Sequence, residues 1–335
     1  MRAKEIPQVH QERLALWEHI PLVTPWVIYI EPSGYCNLKC QFCPCGISRE
    51  KLKKDFMPFK IFKKIIDDLS GFPDKVKLLR ICGNGEPLMN KDIIPLLEYA
   101  QKKEVAEKIE MLTNGILLTN ELIDRLPQNL NRIIVSIEGL GPEDYERICG
   151  VRIDFASLLG KLDALYARRG NCKIHIKIHH KAVSSEKEKD IFFNLFSHRC
   201  NEIYVEKLVP MWPQLDSVHF TNEFRWLEAG AVHKRRVCVQ IFKGMQVQAN
   251  GEVVPCCVDW DRINVLGDVQ SDSIPDIWNG ARLRHLQMEH LSGNKPKLKP
   301  CKDCTMNDYC EFDNIDLHMQ ECKQRLREKI NIEKI

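Results

Sequence analysis

CNLKCQFC, residues 36 to 43, places three cysteines within eight positions. Three thiolates on one short loop can hold three corners of a cubane 4Fe–4S cluster and leave the fourth iron without a protein ligand. An iron with an open position can bind a second molecule, as the open position of a catalytic zinc site does. The alternative is a structural zinc knuckle, but the loop offers no fourth ligand at the usual spacing. Only the stiff Pro44 separates Cys45 from Cys43, which makes Cys45 a poor fourth ligand.

The C-x3-C-x2-C spacing of Cys36, Cys40 and Cys43 resembles that of the radical S-adenosylmethionine (radical SAM) superfamily. The resemblance implies that S-adenosylmethionine (SAM) binds the open iron through its methionine end. It further implies that one electron then cleaves SAM to a 5′-deoxyadenosyl radical, which abstracts hydrogen from a substrate. Phe42, between the second and third cysteines, could pack near the cluster and the adenine or could simply belong to the core.

Bulk composition is that of an ordinary globular protein of 335 residues, with 44% hydrophobic and 28% charged residues. A formal net charge of +3 favours no phosphate-rich partner, so no nucleic-acid function is expected. No segment approaches the ~20 consecutive apolar residues of a membrane span, and the amino terminus does not resemble a signal peptide. The 15 cysteines are an odd number, which indicates metal ligands in a reducing, cytoplasmic compartment rather than disulfides.

Strand-like and helix-like segments alternate through the first two thirds of the chain. The strand candidates are residues 26–31, 77–82, 108–112, 132–137, 173–179 and 202–209. Helices are predicted to begin at Asn90 and Asp154 and to cover residues 187–198. Six such units in series predict an α/β fold with a parallel sheet, and periodicity alone does not say whether it is open or curled. The radical SAM resemblance implies a partial (β/α)6 barrel with its site at the carboxyl edge of the strands.

The predicted organisation has five parts. They are an amino-terminal extension (1–25), the partial barrel (26–209), a linker (210–236), a small cysteine-rich α+β domain (237–312) and a helical tail (313–335). After the linker, the sequence pattern changes from alternating strands and helices to short hairpin-like segments. Asn250-Gly251 is a strong hairpin-turn signal.

Three polar motifs follow predicted strands and are similar to SAM-binding motifs of the superfamily. The first is Gly83-Asn84-Gly85-Glu86-Pro87, which resembles a Gly-Gly-Glu-Pro motif; its glycines allow close backbone approach and Glu86 could meet the methionine ammonium. The others are Thr113-Asn114-Gly115 and Ser136-Ile137-Glu138-Gly139. The candidate SAM contacts are therefore Phe42, Gly83, Asn84, Gly85, Glu86, Asn114, Ser136 and Glu138.

A second group of cysteines, Cys238, Cys256, Cys301 and Cys304, can ligate either a structural zinc or a further 4Fe–4S cluster. The surrounding motifs, from Asn250-Gly251 to Ile277-Trp278-Asn279, resemble the auxiliary-cluster domain called SPASM and its shorter relative called twitch. That resemblance implies one auxiliary 4Fe–4S cluster on these four cysteines. A second cluster, or an alternative ligand set of Cys301, Cys304, Cys310 and Cys322, stays open.

The auxiliary cluster suggests two reactions. If a substrate carbon is oxidised, the cluster can accept the electron that the substrate radical loses. If the carbon is epimerised, a thiol must return a hydrogen atom, and Cys149, Cys257 and Cys310 are candidates. By analogy we expect a carbohydrate or aminocyclitol substrate, with a peptide- or protein-modifying maturase as the alternative and a zinc-stabilised binding module as a remote one. A flavodoxin or ferredoxin is the expected electron donor.

Overall fold

The computed structural model of the chain describes residues 3–6, 14–208, 212, 234–308 and 314–332. Most of the predicted linker and Cys310 lie outside the described residues. The strands are β1 (Lys4–Glu5), β2 (Val27–Ile30), β3 (Leu78–Ile81), β4 (Ile109–Thr113), β5 (Arg132–Ile137), β6 (Lys173–His179), β7 (Glu202–Glu206), β8 (Gly244–Val247), β9 (Glu252–Val254) and β10 (Gly267–Asp268). The α-helices are α1 (Leu16–His19), α2 (Pro44–Ile47), α3 (Phe59–Leu69), α4 (Ile93–Lys103), α5 (Asn120–Asn129), α6 (Pro142–Cys149), α7 (Phe155–Arg168), α8 (Glu186–Phe196), α9 (Gln240–Lys243), α10 (Ile274–Asn279), α11 (Ala281–Leu291) and α12 (Met319–Ile332).

Within the described ranges, ten strands form one sheet in the order β1-β7-β6-β5-β4-β3-β2-β8-β9-β10. Strands β2 to β7 are the six predicted from the sequence, and they pair in parallel and in chain order. Helices follow these strands along the chain, as parallel crossovers require. The α/β prediction with a parallel, partly curled sheet is confirmed.

Helix starts follow the capping chemistry of the sequence. Asp154 accepts a hydrogen bond from the backbone N–H of Ser157 at 2.9 Å and caps α7, as predicted. Helix α4 begins later than predicted, because Asp92 rather than Asn90 is its N-cap. The Asn90 side chain lies two residues earlier: its Oδ1 accepts from the Asp92 N–H at 2.9 Å, and its amide donates to the carbonyl oxygens of Pro32 and Met57.

The two faces of the parallel sheet differ in chemistry. One face packs Ile28, Ile81 and Ile133, with their neighbours, into the main hydrophobic core. The other face is polar, and its side chains include Tyr29, Arg80, Glu110, Arg132, Ser136, Lys177 and Glu206. Parallel strands are usually apolar on both faces. The polar side chains of this face therefore indicate a functional site there.

The cysteine-rich segment begins on the barrel sheet itself. Strand β8 pairs in parallel with β2, and β9 returns antiparallel to β8. The turn between them is at Asn250-Gly251, where Gly251 has a φ of 97° and donates its N–H to the carbonyl of Gln248 at 2.9 Å. The predicted hairpin is therefore present, and its first strand extends the barrel sheet.

The carboxy-terminal helix packs against the segment around Trp17. Helix α12 carries Cys322, which is fully buried and directs its thiol at the Trp17 carbonyl oxygen, 3.6 Å away. The Trp17 indole stacks on the His318 ring with centroids 3.6 Å apart. Among the described helices, none combines the length and the apolar character that crossing a membrane requires.

Candidate cluster and cofactor site

The three-cysteine loop follows β2 and is anchored to the end of α6. The backbone N–H groups of Lys39 and Gln41 donate to the carbonyls of Cys149 and Ile148, at 2.9 and 3.0 Å. Gly46 closes the loop, because a Cβ at this position would lie 2.1 Å from the Cys40 carbonyl oxygen. Only glycine permits this close approach.

The thiols of the loop form two contacts with neighbouring cysteines. The Cys40 sulfur lies 3.4 Å from the Cys149 sulfur. Cys36 and Cys43 pack against the buried Cys45, and a hydrogen bond with the Cys45 thiol lowers the pKa of Cys36. The Cys149 thiol and burial raise the pKa of Cys40, so of these two thiols only Cys36 is biased toward the thiolate, which is the form that binds iron. The feature that fits a cluster is the set of three thiols on one loop. Cys45 is closer to the loop thiols than the sequence suggested.

The Gly83–Pro87 turn lies directly against the beginning of the cysteine loop. A Cβ on Gly85 would lie 2.1 Å from the Ser33 carbonyl oxygen, so the glycine is needed for this contact. The Asn84 N–H donates to the carboxylate of Glu31 at 2.6 Å, and the Asn84 carbonyl accepts from the Cys45 thiol. The turn and the loop therefore form one continuous backbone surface.

Glu86 ties this turn to the end of β4. Its Oε1 accepts from the Leu88 N–H and the Thr113 hydroxyl, at 3.1 and 2.6 Å, and its Oε2 accepts from the Asn114 N–H at 2.8 Å. A carboxylate has about four acceptor positions, so Oε2 keeps one for a further donor such as an ammonium group. The Asn114 amide in turn donates to the Asn37 side chain at 2.8 Å.

Ser136 and Glu138 lie on the polar face at the carboxyl end of β5. Burial raises the pKa of Glu138 to about 7, with Lys177 acting in the opposite direction and Glu206 adding to the rise. His179 Nε2 is 3.5 Å from Glu138, and burial lowers the pKa of this histidine to about 3. The Phe42 ring packs edge-on against the His179 ring with centroids 4.9 Å apart.

We expect Glu138→Gln to reduce the pH dependence of stability. Because the folded pKa of Glu138 lies above its ordinary value of 4.5, its contribution is fully present below pH 4.5 and is lost as pH rises through about 7. The loss is about 3 kcal/mol at most. The unfolding midpoint of the variant, relative to the unsubstituted protein, should therefore rise between pH 5 and pH 8.

Glu143→Gln is the control, because its own backbone N–H and Arg152 lower the pKa of Glu143. The contribution of Glu143 is already complete above its unfolded pKa of about 4.5 and is lost only at lower pH, so the profile of this variant should run parallel to that of the unsubstituted protein between pH 5 and pH 8. Parallel pH profiles for Glu138→Gln and the unsubstituted protein would show that the Glu138 prediction is wrong.

The four cysteines of the second group line a single cavity. Cys238, Cys256, Cys301 and Cys304 share it with apolar residues such as Ile241 and Pro300. Burial raises the pKa of each thiol, to about 12 for Cys301 and Cys304, and neighbouring cysteines add to the rise at Cys256. Four thiols buried together are favourable when a cationic centre binds them as thiolates.

The four thiols of this cavity can serve either metal centre. A zinc ion requires four sulfurs about 2.3 Å from one point, whereas a cubane binds each thiolate at a different iron. The Asn307 amide, 2.9 Å from the Cys238 sulfur, is placed to donate a hydrogen bond to that sulfur in either case.

The candidate hydrogen-donor thiols lie in different surroundings. Cys149 is fully buried behind the cysteine loop. Cys257 lies close enough to Tyr29 and Cys82 to contribute to their raised pKa values, which are about 12 and due mainly to burial. Cys257 thus lies near the β2 and β3 side chains, and the adjacent Cys256 lines the second cavity. Cys310 is outside the described residues.

Sequence interpretation missed most of the polar face. Glu110 accepts hydrogen bonds from Arg80 and from Arg132 Nε, the latter at 2.6 Å, and Lys177 is ion-paired with Glu206. The signal that could have revealed this face is the alternation of polar and apolar residues. In the β6 sequence KIHIKIH, every second residue is polar, and these residues lie on the same face of the strand.

Comparison with known proteins gives two family matches. The family model of the Radical SAM superfamily matches residues 30–187. The model of the SPASM iron–sulfur cluster-binding domain matches residues 238–305.

The similar proteins have names that describe different functions. A tungsten-containing aldehyde ferredoxin oxidoreductase cofactor-modifying protein of Pyrococcus furiosus is 24% identical over 328 residues, which cover 85% of this chain and 88% of that protein. The bacteriocin subtilosin biosynthesis protein AlbA of Bacillus subtilis is 25% identical over 84% of this chain and 65% of its own length. The GTP 3′,8-cyclase of Desulforamulus reducens is 30% identical, over only 36% of either protein.

Solved structures support the same fold. The crystal structure of BtrN in complex with AdoMet and 2-DOIA superimposes with a TM-score of 0.55 at 18% identity. The match covers 83% of this chain and 92% of BtrN.

Proposed function

Because this chain is a radical SAM protein with a SPASM domain, we propose that it oxidises or epimerises a carbon of a carbohydrate or aminocyclitol. The radical SAM domain carries a 4Fe–4S cluster that binds SAM, and the SPASM domain carries further iron–sulfur chemistry. Such a cluster supplies the electron that cleaves SAM to a 5′-deoxyadenosyl radical.

One observation carries the proposal. Three loop cysteines, the Gly83–Pro87 turn and the end of β4 are joined by hydrogen bonds at one edge of the sheet, next to a concave polar face. Cys36, Cys40 and Cys43 would hold the cluster, and backbone oxygens of the turn with Glu86 would bind the methionine ammonium. Asn114, Ser136 and Glu138 would contact the rest of SAM, and Phe42 would pack near its adenine.

An oxidation would remove one hydrogen atom, one proton and one electron from a carbinol group. The 5′-deoxyadenosyl radical would take the hydrogen atom from carbon, and loss of the proton and the electron would give the ketone. Cys238, Cys256, Cys301 and Cys304 would hold the auxiliary cluster that accepts this electron. In an epimerisation, a thiol such as Cys257, which is near enough to Tyr29 and Cys82 to affect their pKa values, would return a hydrogen atom, and one electron from the external donor and one proton would reduce the resulting thiyl radical.

The polar face carries ion pairs that a substrate would meet. Arg80 and Arg132 share Glu110, and Lys177 pairs with Glu206, so these five side chains carry one net positive charge. BtrN, whose structure holds 2-DOIA, shares the fold. The second candidate is a peptide-modifying maturase, which the similarity to a bacteriocin biosynthesis protein favours.

The test is anaerobic assay of the reconstituted protein with SAM and dithionite. We expect release of 5′-deoxyadenosine and methionine in equal amounts, and faster release with an aminocyclitol such as 2-deoxystreptamine than with a Cys-containing peptide. Faster release with the peptide alone would favour the maturase, and no release at all would contradict a radical SAM reaction.

A further inference from the structure

The cavity of the second cysteine group contains an ammonium group and an amide beside the thiols. Lys295 and Asn307 both line this cavity together with the four cysteines. Lys295 is 5% exposed and Asn307 is 7% exposed, so both side chains are largely shielded from water. A buried ammonium group is rare, because removing a charge from water is costly unless the charge meets an opposite one. The position of Lys295 in this cavity therefore requires an explanation.

Contacts within the protein account for only part of the Lys295 ammonium group. It donates a hydrogen bond to the Arg235 carbonyl at 2.9 Å, and the carboxylate of the buried Asp308 lies 3.9 Å away. An ammonium group has three N–H donors, so these contacts with described residues do not use all of them. Asp308 does not line the cavity, and among the described residues that line it Lys295 alone is a cation.

Asn307 contacts one of the thiols directly. Its side-chain nitrogen is 2.9 Å from the Cys238 sulfur. A sulfur that binds iron as a thiolate has no proton, so the amide is the donor of this hydrogen bond and the charged sulfur is the acceptor. The Cys238 backbone is held independently, because its N–H donates to His290 Nδ1 at 3.1 Å. Asn307 therefore acts on the sulfur itself and is not needed to fix the chain at Cys238.

The charge of Lys295 acts on three of the four thiols. Burial is the largest cause of the raised pKa of Cys238, Cys301 and Cys304, and Lys295 acts in the opposite direction on all three. One carboxylate, that of Asp259, also lines the cavity, and two backbone N–H groups donate to it at 2.9 and 2.8 Å. Lys295 therefore supplies the charge of the lining that favours the thiolates.

A positive charge and an N–H donor beside thiolates affect an iron–sulfur cluster in a defined direction. The reduction potential of such a cluster depends on its net charge, on hydrogen bonds to its sulfurs and on its exposure to solvent. An added electron makes the thiolate sulfurs more negative, so a nearby ammonium group and N–H donor stabilise the reduced form more than the oxidised form. Both features therefore raise the potential, which favours acceptance of an electron from a substrate radical.

We propose that Lys295 and Asn307 stabilise the electron that the auxiliary cluster of this cavity accepts. This inference rests on the proposed function, and it adds the residues that tune the electron acceptor. The step moves one electron and no proton from the substrate radical to the cluster, and neither side chain gains or loses a proton. The buried ammonium group costs stability in the empty cavity, and this cost is offset when the thiolates bind a metal centre.

The test is a potentiometric titration of the reconstituted chain under anaerobic conditions, followed by electron paramagnetic resonance. Cys40→Ala is the background, because it is expected to leave iron only in the second cavity, so that one potential is measured. Lys295→Gln removes the charge and keeps a donor for the Arg235 carbonyl. At a fixed potential, the ratio of reduced to oxidised cluster should fall by about tenfold or more in this variant, and tenfold corresponds to about 59 mV for one electron.

Lys297→Gln is the matched control, because Lys297 lies on the same short 3-10 turn (Lys295–Lys297), is exposed and does not line the cavity. Solvent screens its charge, so its potential should equal that of the background. Asn307→Leu removes the N–H donor at similar size and should lower the ratio by about threefold or more. An unchanged potential in either Lys295→Gln or Asn307→Leu, or an equal shift in Lys297→Gln, would overturn the proposal.

Loading and function are measured separately. Iron analysis establishes first that each variant keeps about four irons in the Cys40→Ala background. If Lys295→Gln binds no iron, Asn307→Leu decides, because the Cys238 backbone is held by His290. SAM cleavage by the unsubstituted protein, together with equal auxiliary potentials in all variants, would reject only this inference. Zinc in place of the second cluster would reject the electron acceptor of the proposed function as well.

Discussion

Cys40→Ala is expected to abolish SAM cleavage and to lower the iron content of the reconstituted protein from about eight to about four atoms per chain. The reason is geometric: backbone hydrogen bonds fix the loop that carries Cys40 to the end of α6, and these hold the Cys40 thiol in its place in the three-cysteine set. Iron and sulfide analysis, together with the yield of 5′-deoxyadenosine, measures both effects. Cys36→Ala and Cys43→Ala should behave alike.

The matched control is Cys45→Ala, because Cys45 packs against Cys36 and Cys43 and is the thiol that could substitute for one of them. We expect this variant to retain about eight irons, since Pro44 holds Cys45 on the adjacent turn. A loss of four irons in Cys45→Ala, with none in Cys40→Ala, would replace Cys40 by Cys45 in the ligand set. Cys149→Ala tests the other neighbour of the loop, and loss of the cluster there would assign Cys149 a ligand role.

The parallel sheet could be predicted because its strands are short runs of Ile and Val separated by amphipathic helices. The same strands carry a second pattern, in which every other residue is polar, as in Lys173, His175, Lys177 and His179 of β6. The prediction of buried strands explains the apolar face, which packs against the helices. It does not take account of the polar face, which forms the candidate site. Charged residues inside an otherwise apolar strand were the available signal.

The position of β8 could not be predicted in the same way. The Asn250-Gly251 turn fixes the pairing of β8 with β9, because hairpin register is local. The pairing of β8 with β2 joins residues more than 200 positions apart and depends on how the whole sheet is completed. For that reason the sequence did not indicate that Gln246 lies beside Tyr29.

The joint substitution Cys301→Ser and Cys304→Ser is expected to remove the other four irons and to lower the unfolding midpoint by about 5–10 °C. Both thiols line the cavity of Cys238 and Cys256, and burial raises the pKa of all four. Without a metal centre, the polar side chains of the cavity would lie unpaired among apolar residues. The metal–sulfur bonds that join Cys238 and Cys256 to the stretch around Cys301 and Cys304 would also be lost. Iron analysis and thermal unfolding under anaerobic conditions measure the two effects.

Cys322→Ser separates the two possible ligand sets. The Cys322 thiol faces the Trp17 carbonyl in the core and does not line the cavity, so this variant should keep about eight irons. A loss of four irons in Cys322→Ser would instead favour the set Cys301, Cys304, Cys310 and Cys322. Stoichiometric zinc with only four irons in the unsubstituted protein would reject an auxiliary cluster, because one ion would then satisfy all four thiolates. The electron released by substrate oxidation would then have no acceptor within the chain, and an epimerisation through Cys257 would need the external electron donor to reduce the thiyl radical that the thiol leaves.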